Sequence, residues 1–276
     1  MVTLTPEQIA QYHEEGYLVL RANEHGLATP EALKAWTDEI AAWPRVPGKW
    51  MQYDETTASG EKQLMRTENF ADYHDGYGRL LLGPDLRGLL GQLTGDEMLL
   101  FKDKINYKLP HANGFNPHID APAYDHIGSI EHTTANLAID AAIPENGCLE
   151  IVPGSHHMDV KLAYGAHIAD DWVQRQNWVQ IPLAAGDLLI FGSHLAHRSA
   201  PYTTGDRRAS LYATYYCRKD GDDLRQRYYT HRRLNFPPEH ERDPERDYTS
   251  SFKIYASAGA YIGHDVARAA NGMQKA

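Results

Sequence analysis

His118 and Asp120 stand two residues apart in Phe115-Asn116-Pro117-His118-Ile119-Asp120, so on an extended strand their side chains fall on the same side. An imidazole and a carboxylate on one face are the start of a facial metal site. Two nitrogens and one carboxylate oxygen suit Fe(II) and leave three positions open for a bidentate cosubstrate and dioxygen. A His-x-Asp pair alone is weak evidence in a chain with 15 His, and His157-Met158-Asp159 is a second such pair. The downstream context adds more. Gly192-Ser193-His194-Leu195-Ala196-His197-Arg198-Ser199 follows the apolar run Leu188 to Phe191 and offers His197 as a third ligand, and Arg208 lies beyond it at the start of another apolar stretch. A guanidinium is a fitting partner for the distal carboxylate of 2-oxoglutarate, because its planar fork meets both oxygens at once. Without the histidine pattern, Arg208 would read as a surface salt bridge.

Elements must hold these groups in place. Thr5-Pro6-Glu7-Gln8 is a helix start, with Thr5 as cap, Pro6 in the first helical position and Gln8 completing a capping box, and Gly16 ends the helix. Leu18-Val19-Leu20 begins a short strand. A second capped helix starts at Thr29-Pro30 with Leu33, Trp36 and Ile40 on its apolar face, and a third spans the stretch around Asp85 to Leu93. From residue 98 onward the period shortens. Runs at Met98 to Leu109, Thr133 to Ile143, Leu149 to Val152, Trp178 to Ile181, Leu188 to Phe191 and Ala209 to Cys217, broken by Gly, Pro, Asn and Asp, predict many short strands. The expected class is mainly β with flanking helices, arranged as a jelly-roll barrel. One domain is expected over residues 1–276: a mostly helical buttress at 1–97, the jelly-roll core at 98–217, and a C-terminal arm at 218–276 that packs outside or over one mouth.

The bulk numbers narrow the function. With 276 residues, 42% of them hydrophobic, the chain can bury a sizeable core. A formal net charge of -10 excludes nucleic acid as the main partner, since no basic face is large enough to neutralise a run of phosphates. The stretch Arg225 to Arg233 runs straight into Glu239, Glu241 and Asp243 and reads as a solvated surface segment. Cys148 and Cys217 make no zinc-like spacing and no disulfide framework, which fits a reducing cytoplasm. The first residues lack the pattern of a signal peptide, and no apolar run approaches the roughly 18 residues of a membrane span. A cytoplasmic protein acting on a small molecule is expected, with its oligomeric state left open.

The ordered set His118-x-Asp120, Asn146-Gly147-Cys148-Leu149, Val152-Pro153-Gly154-Ser155-His156, His197-Arg198-Ser199 and Arg208 resembles the phytanoyl-CoA dioxygenase family. The opening Leu4-Thr5-Pro6-Glu7-Gln8 to Glu15-Gly16-Tyr17 is similar to that family's entrance, so the likeness runs over about residues 4 to 217. It implies a double-stranded β-helix, a cupin-like jelly roll, that uses Fe(II), 2-oxoglutarate and O2. Carried over by residue, it makes His118, Asp120 and His197 the ligands and Arg208 the anchor of 2-oxoglutarate, with Ser199 bonded to the same carboxylate. Arg207 is adjacent and Tyr202 replaces the usual Asn in the turn, so a one-residue loop difference would hand the anchor to Arg207; spacing from His197 favours Arg208. His194 lacks the His-x-Ser context, and the turn carrying His157 is structural in the family.

Substrate contacts are sought on the strand leading into the metal loop. Phe101, Ile105, Tyr107 and Leu109 fall on one side with Asp103 as the exception, and Lys102, Lys104, Asn106 and Lys108 fall on the other. That second face is either solvated or turned into the barrel. Ile105-Asn106-Tyr107-Lys108 is similar to a segment of ectoine hydroxylases in the same family, which implies Asn106 as a further cosubstrate contact and sets Lys102 and Lys104 near the substrate. Tyr124, Thr134 and Asn136 are expected to wall the pocket. Two ammonium groups in a cavity favour an anionic substrate, because an unpaired buried charge is costly.

The resemblance implies hydroxylation with release of succinate and CO2 from the cosubstrate. Family halogenases replace the carboxylate ligand with a small residue, so Asp120 argues for oxygenation. The Phe236-Pro237-Pro238-Glu239 to Tyr248 stretch is similar to tails of bacterial relatives that hydroxylate 2-aminoethylphosphonate. The expected substrate is therefore a small anionic or zwitterionic metabolite of that kind. The alternatives are the same chemistry on a natural-product intermediate, as hydroxylation, desaturation or cyclisation, and a non-catalytic metal-binding jelly-roll module.

Overall fold

The computed structural model describes residues 2–57, 60–128, 130–202 and 205–255. Thirteen strands among them form two antiparallel sheets. The larger sheet joins β1 (Tyr17–Leu20), β2 (Met51–Thr56), β3 (Lys62–Glu68), β4 (Met98–Lys108), β6 (His132–Ala138), β11 (Leu188–Gly192) and β13 (Arg208–Cys217) in the order β1-β11-β6-β13-β4-β3-β2. The smaller joins β5 (Phe115–His118), β7 (Leu149–Ile151), β8 (Leu162–Tyr164), β9 (His167–Ile168), β10 (Val179–Ile181) and β12 (His197–Ser199) in the order β10-β7-β12-β5-β9-β8. With flanking helices, this is the expected jelly roll. No helix of the described residues is long and apolar enough to cross a membrane.

The helices are α1 (Pro6–Glu15), α2 (Ala22–His25), α3 (Pro30–Ala41), α4 (Asp75–Leu82), α5 (Pro84–Thr94), α6 (Asp170–Val173), α7 (Leu224–Asn235) and α8 (Phe252–Tyr255). The start of α1 is as the sequence predicts: Thr5 and Gln8 form a reciprocal capping box, and Gly16 closes the helix at φ 82°. Strand alternation then sorts the core into two layers. Leu188 and Ile190 of β11, with Leu137 of β6 and Leu211 of β13, pack against Leu33 of α3, Leu81 of α4 and Leu89 of α5. Leu189 and Phe191 of the same strand turn the other way and meet Leu149 and Ile151 of β7, filling one end of the space between the sheets. The other end of that space is polar.

Three expectations need correction. Residues 1–97 carry the expected helices but are not only a buttress, because β2 and β3 join β1 in the larger sheet. Their charged residues conceal the strands in sequence: Glu55, Arg66 and Glu68 are all buried. Arg225 to Arg233 is not a solvated segment but part of α7. Arg225 pairs with Asp103 at 2.6 Å and Asp72 at 3.0 Å, and Arg232 is fully buried against Glu68. Phe101 leaves the face of Ile105 and Tyr107, since β4 carries a bulge opposite Thr214/Tyr215 that turns Phe101 toward Tyr124 and Tyr228. Of the C-terminal arm, residues 256–276 lie outside the described residues.

Candidate metal centre

His118 and His197 face each other across the β5–β12 pair, with ring centroids 4.0 Å apart. Asp120 does not continue the strand. β5 ends at His118, and Asp120 adopts helical angles (φ -78°, ψ -29°) at the head of a tight turn over Ala121–Ala123. The same-side argument from an extended strand is therefore wrong in its geometry. The turn itself supplies the proximity: Asp120 Oδ1 lies 3.8 Å from His118 Nε2, and the Asp120 and Ala121 N–H groups donate to Ser193 O at 2.9 and 3.0 Å. One potential ligand atom from each of His118, Asp120 and His197 lies within 4.8 Å of the others; among the described residues no other trio of His, Cys, Asp or Glu does so.

The protonation chemistry fits a divalent ion. His118 Nδ1 sits 2.7 Å from Asn116 O and His197 Nδ1 2.9 Å from Leu195 O; with Nδ1 as donor, each Nε2 lone pair is left for a metal. Burial, reinforced by His197, pushes His118 down to about 3, and burial lowers His197 as well, so both rings are neutral near pH 7. Burial opposes ionisation of Asp120, but His197 and Lys104 outweigh it and hold the carboxyl at about 2. Two neutral imidazoles and one carboxylate form a donor set suited to Fe(II). His194 is exposed, and His157 is taken up by His13 O at 3.0 Å.

Arg208 opens β13 opposite Lys108 of β4. It is 6% exposed, and its Nε finds no hydrogen-bond partner among the described residues. Lys108 Nζ donates to Ser199 Oγ at 3.0 Å and Ala200 O at 2.5 Å, and burial together with Arg208 pushes this lysine down to about 6. A buried guanidinium with no ion-paired carboxylate among the described residues, beside a lysine that burial holds mostly uncharged, favours an incoming carboxylate. Arg207 is engaged elsewhere, with Asp140 at 3.2 Å and with Asp38.

A cavity with about 670 Å³ of empty space, mouth included, lies between the sheets. Its wall contains the trio His118, Asp120 and His197, together with Ser199, Asn106, Lys102, Lys104 and Tyr124. The lysine face of β4 is thus turned inward. Arg208 does not reach this wall, and neither do Thr134 and Asn136, which the sheet itself consumes. Thr134 Oγ1 bonds Thr214 Oγ1 at 3.1 Å, and Asn136 Nδ2 donates to Leu211 O at 3.1 Å.

Sequence reasoning missed Arg66, Tyr212 and Tyr255 in this wall. Arg66 lies opposite Asn106 in the β3–β4 register and donates Nε to Asn106 Oδ1 at 2.9 Å. Tyr212 was legible as a residue on the same face as Arg208, four positions along β13. Tyr255 Oη meets His231 Nδ1 at 2.6 Å and His126 Nε2 at 2.9 Å, contacts that no local pattern announces. Behind the wall, Glu68 is wholly buried and receives Arg232 at 2.8 Å, Arg66 at 3.1 Å and Lys102 at 3.8 Å. Burial opposes its ionisation, yet Arg232, Lys102 and Arg66 hold it at about 2. Burial lowers Lys102 well below the usual range and Lys104 to about 8.

Residues 12–210 match the model of the phytanoyl-CoA dioxygenase (PhyH) family. The chain is 40% identical over 237 residues to the dioxygenase lolE1 of Epichloe uncinata, covering 86% of this chain and 92% of that protein. It is 36% identical over 259 residues to the 2-aminoethylphosphonate dioxygenase of Uncultured bacterium HF130_AEPn_1 (92% and 97% covered), and 37% identical over 235 residues to the methylphosphonate hydroxylase of Gimesia maris (85% and 88%). Among solved structures, EctD from S. alaskensis with 2-oxoglutarate and 5-hydroxyectoine superposes with a TM-score of 0.66 at 20% identity, covering 78% of this chain and 77% of that one.

Proposed function

Since this chain belongs to the phytanoyl-CoA dioxygenase family and is an oxidoreductase of the iron and 2-oxoglutarate type, we propose that it hydroxylates a small anionic or zwitterionic metabolite of the phosphonate kind. His118, Asp120 and His197 hold the metal in this reading, Arg208 and Ser199 take the distal carboxylate of 2-oxoglutarate, and Asn106 is a further contact. Iron with bound 2-oxoglutarate supplies the activation of dioxygen, coupled to loss of CO2 and formation of succinate.

The chain's own side chains do the rest. Asn116 O and Leu195 O fix the two imidazole tautomers. Lys108 steers the Ser199 hydroxyl, whose Oγ accepts from its Nζ and so keeps its own proton for a carboxylate. Lys102 and Lys104 line the cavity beside Asn106, and Tyr124 walls it as well. The observation that carries the substrate reading is this inward cationic face, in keeping with two relatives named for phosphonates.

The test is substrate-stimulated succinate formation over a panel of phosphonates, amino acids, neutral terpenoids and acyl-CoA thioesters, with Fe(II), 2-oxoglutarate and O2 supplied. Phosphonates or amino acids are expected to stimulate best. Best turnover of a neutral natural product would overturn the substrate reading and leave the family chemistry in place.

A further inference from the structure

Resting on the reading just given, we infer that the cavity is built for a small oxyanion that carries no ammonium group, with Lys104 and Arg66 as the residues that select it. Arg66, Lys102 and Lys104 all line the cavity. Among the described residues, the one carboxylate in that wall is Asp120, which the metal claims. Glu68 is not in the wall but behind it, and three cations converge on it: Arg232 at 2.8 Å, Arg66 at 3.1 Å and Lys102 at 3.8 Å. Among the described residues Lys104 has no such carboxylate within 4.0 Å, and its ammonium rests 4.9 Å from the centroid of Tyr212.

An ammonium without a carboxylate can still sit over an aromatic ring. Here the three tyrosine rings of the wall already have the chain's own cations against them. Lys102 lies 5.8 Å from the Tyr124 centroid, Lys104 occupies Tyr212, and Arg232 lies 4.6 Å from the Tyr255 centroid. A substrate ammonium would therefore meet like charges on several sides, whereas a phosphonate-type oxyanion meets an ammonium and a guanidinium suited to it. Both the attraction and the repulsion act in a desolvated wall, where the discrimination is strongest.

Propylphosphonate and 2-aminoethylphosphonate match in heavy-atom shape and differ in the terminal charge, so they separate the two cases. The iron-loaded protein with 2-oxoglutarate is titrated with each under anaerobic conditions in a calorimeter. Propylphosphonate is expected to bind at least about tenfold more tightly. Equal or tighter binding of 2-aminoethylphosphonate would overturn this inference while leaving the phosphonate reading intact. Binding of neither, with 2-oxoglutarate binding retained, would defeat both. Lys104→Met should weaken propylphosphonate by about tenfold or more and leave 2-oxoglutarate affinity within about twofold, with Lys104→Arg restoring most of the loss. Unchanged propylphosphonate affinity in Lys104→Met would remove Lys104 from the selection.

Discussion

Arg207 and Arg208 differ by one position in the chain and by the whole of their surroundings. Arg207 reaches Asp140 and Asp38, while Arg208 is buried beside Lys108 with its Nε unpartnered among the described residues. Arg208→Ala is expected to raise the 2-oxoglutarate concentration needed for half-maximal turnover by roughly thirty-fold to a thousand-fold, the cost of a lost charge-assisted contact at about 2–4 kcal/mol. Arg207→Ala should change it little; the reverse ranking would transfer the anchor to Arg207. At the metal, His118→Ala, Asp120→Ala and His197→Ala should each abolish Fe(II) binding in an anaerobic titration with circular dichroism unchanged, and His194→Ala should bind as the parent does. A ligand substitution that keeps full affinity would strike that residue from the set. The sequence pattern picked out residues that the fold brings together, but not how it does so. It assumed one extended strand, and no local signal marks the break between His118 and Asp120 that sets the carboxylate in a turn.

Helix α7 shows how an element can be invisible in sequence and still be firmly held. Its residues are mostly polar, so Leu224, Tyr228 and Tyr229 make only a short apolar stripe, and Arg225 and Arg232 lie seven residues apart, two turns along one side. They meet Asp103 on β4 and Glu68 on β3. Asp103, the lone charge on an apolar face of β4, is explained by the same contacts, since it also receives the Phe70 and Ala71 N–H groups at 2.7 and 2.9 Å. Glu68→Gln should cost roughly 3–5 kcal/mol in stability, because it strands Arg232 without its counter-charge. The pH dependence has a definite sign. The Glu68 carboxyl is held below the ordinary value of 4.5, at about 2, so its contribution is present above about pH 4.5 and is lost as pH falls toward 2. Thermal melts across that window should fall more steeply for the parent than for Glu68→Gln, and parallel curves would count against the pairing. Helices α1, α3 and α5 were legible because caps and apolar periodicity announce themselves locally. β2, β3 and α7 were not, because their buried charges find partners on segments far apart in sequence.

Over the whole molecule, the layering follows from strand alternation: one face of the larger sheet lies against helices, and the other turns toward the smaller sheet with an apolar end and a cationic end. The class of fold could be read from many short strands behind capped helices. The cavity could be read only in part, because its wall draws on β3 and on α8 near the end of the described residues. The sign of the charge reverses between outside and inside. The chain as a whole carries a formal -10, while the cavity wall holds Arg66, Lys102 and Lys104. An anion approaching from bulk solvent therefore climbs a repulsive field and is drawn in only within about 8–10 Å of the mouth, the range over which physiological salt leaves charges visible to one another. Added salt screens the long-range repulsion before it reaches the interior attraction. At low ionic strength kcat/KM for an anionic substrate should accordingly rise with salt, the reverse of an enzyme that steers its substrate from afar. A steady fall from the lowest salt upward would mean that the cavity's field reaches past the acidic surface and governs the approach.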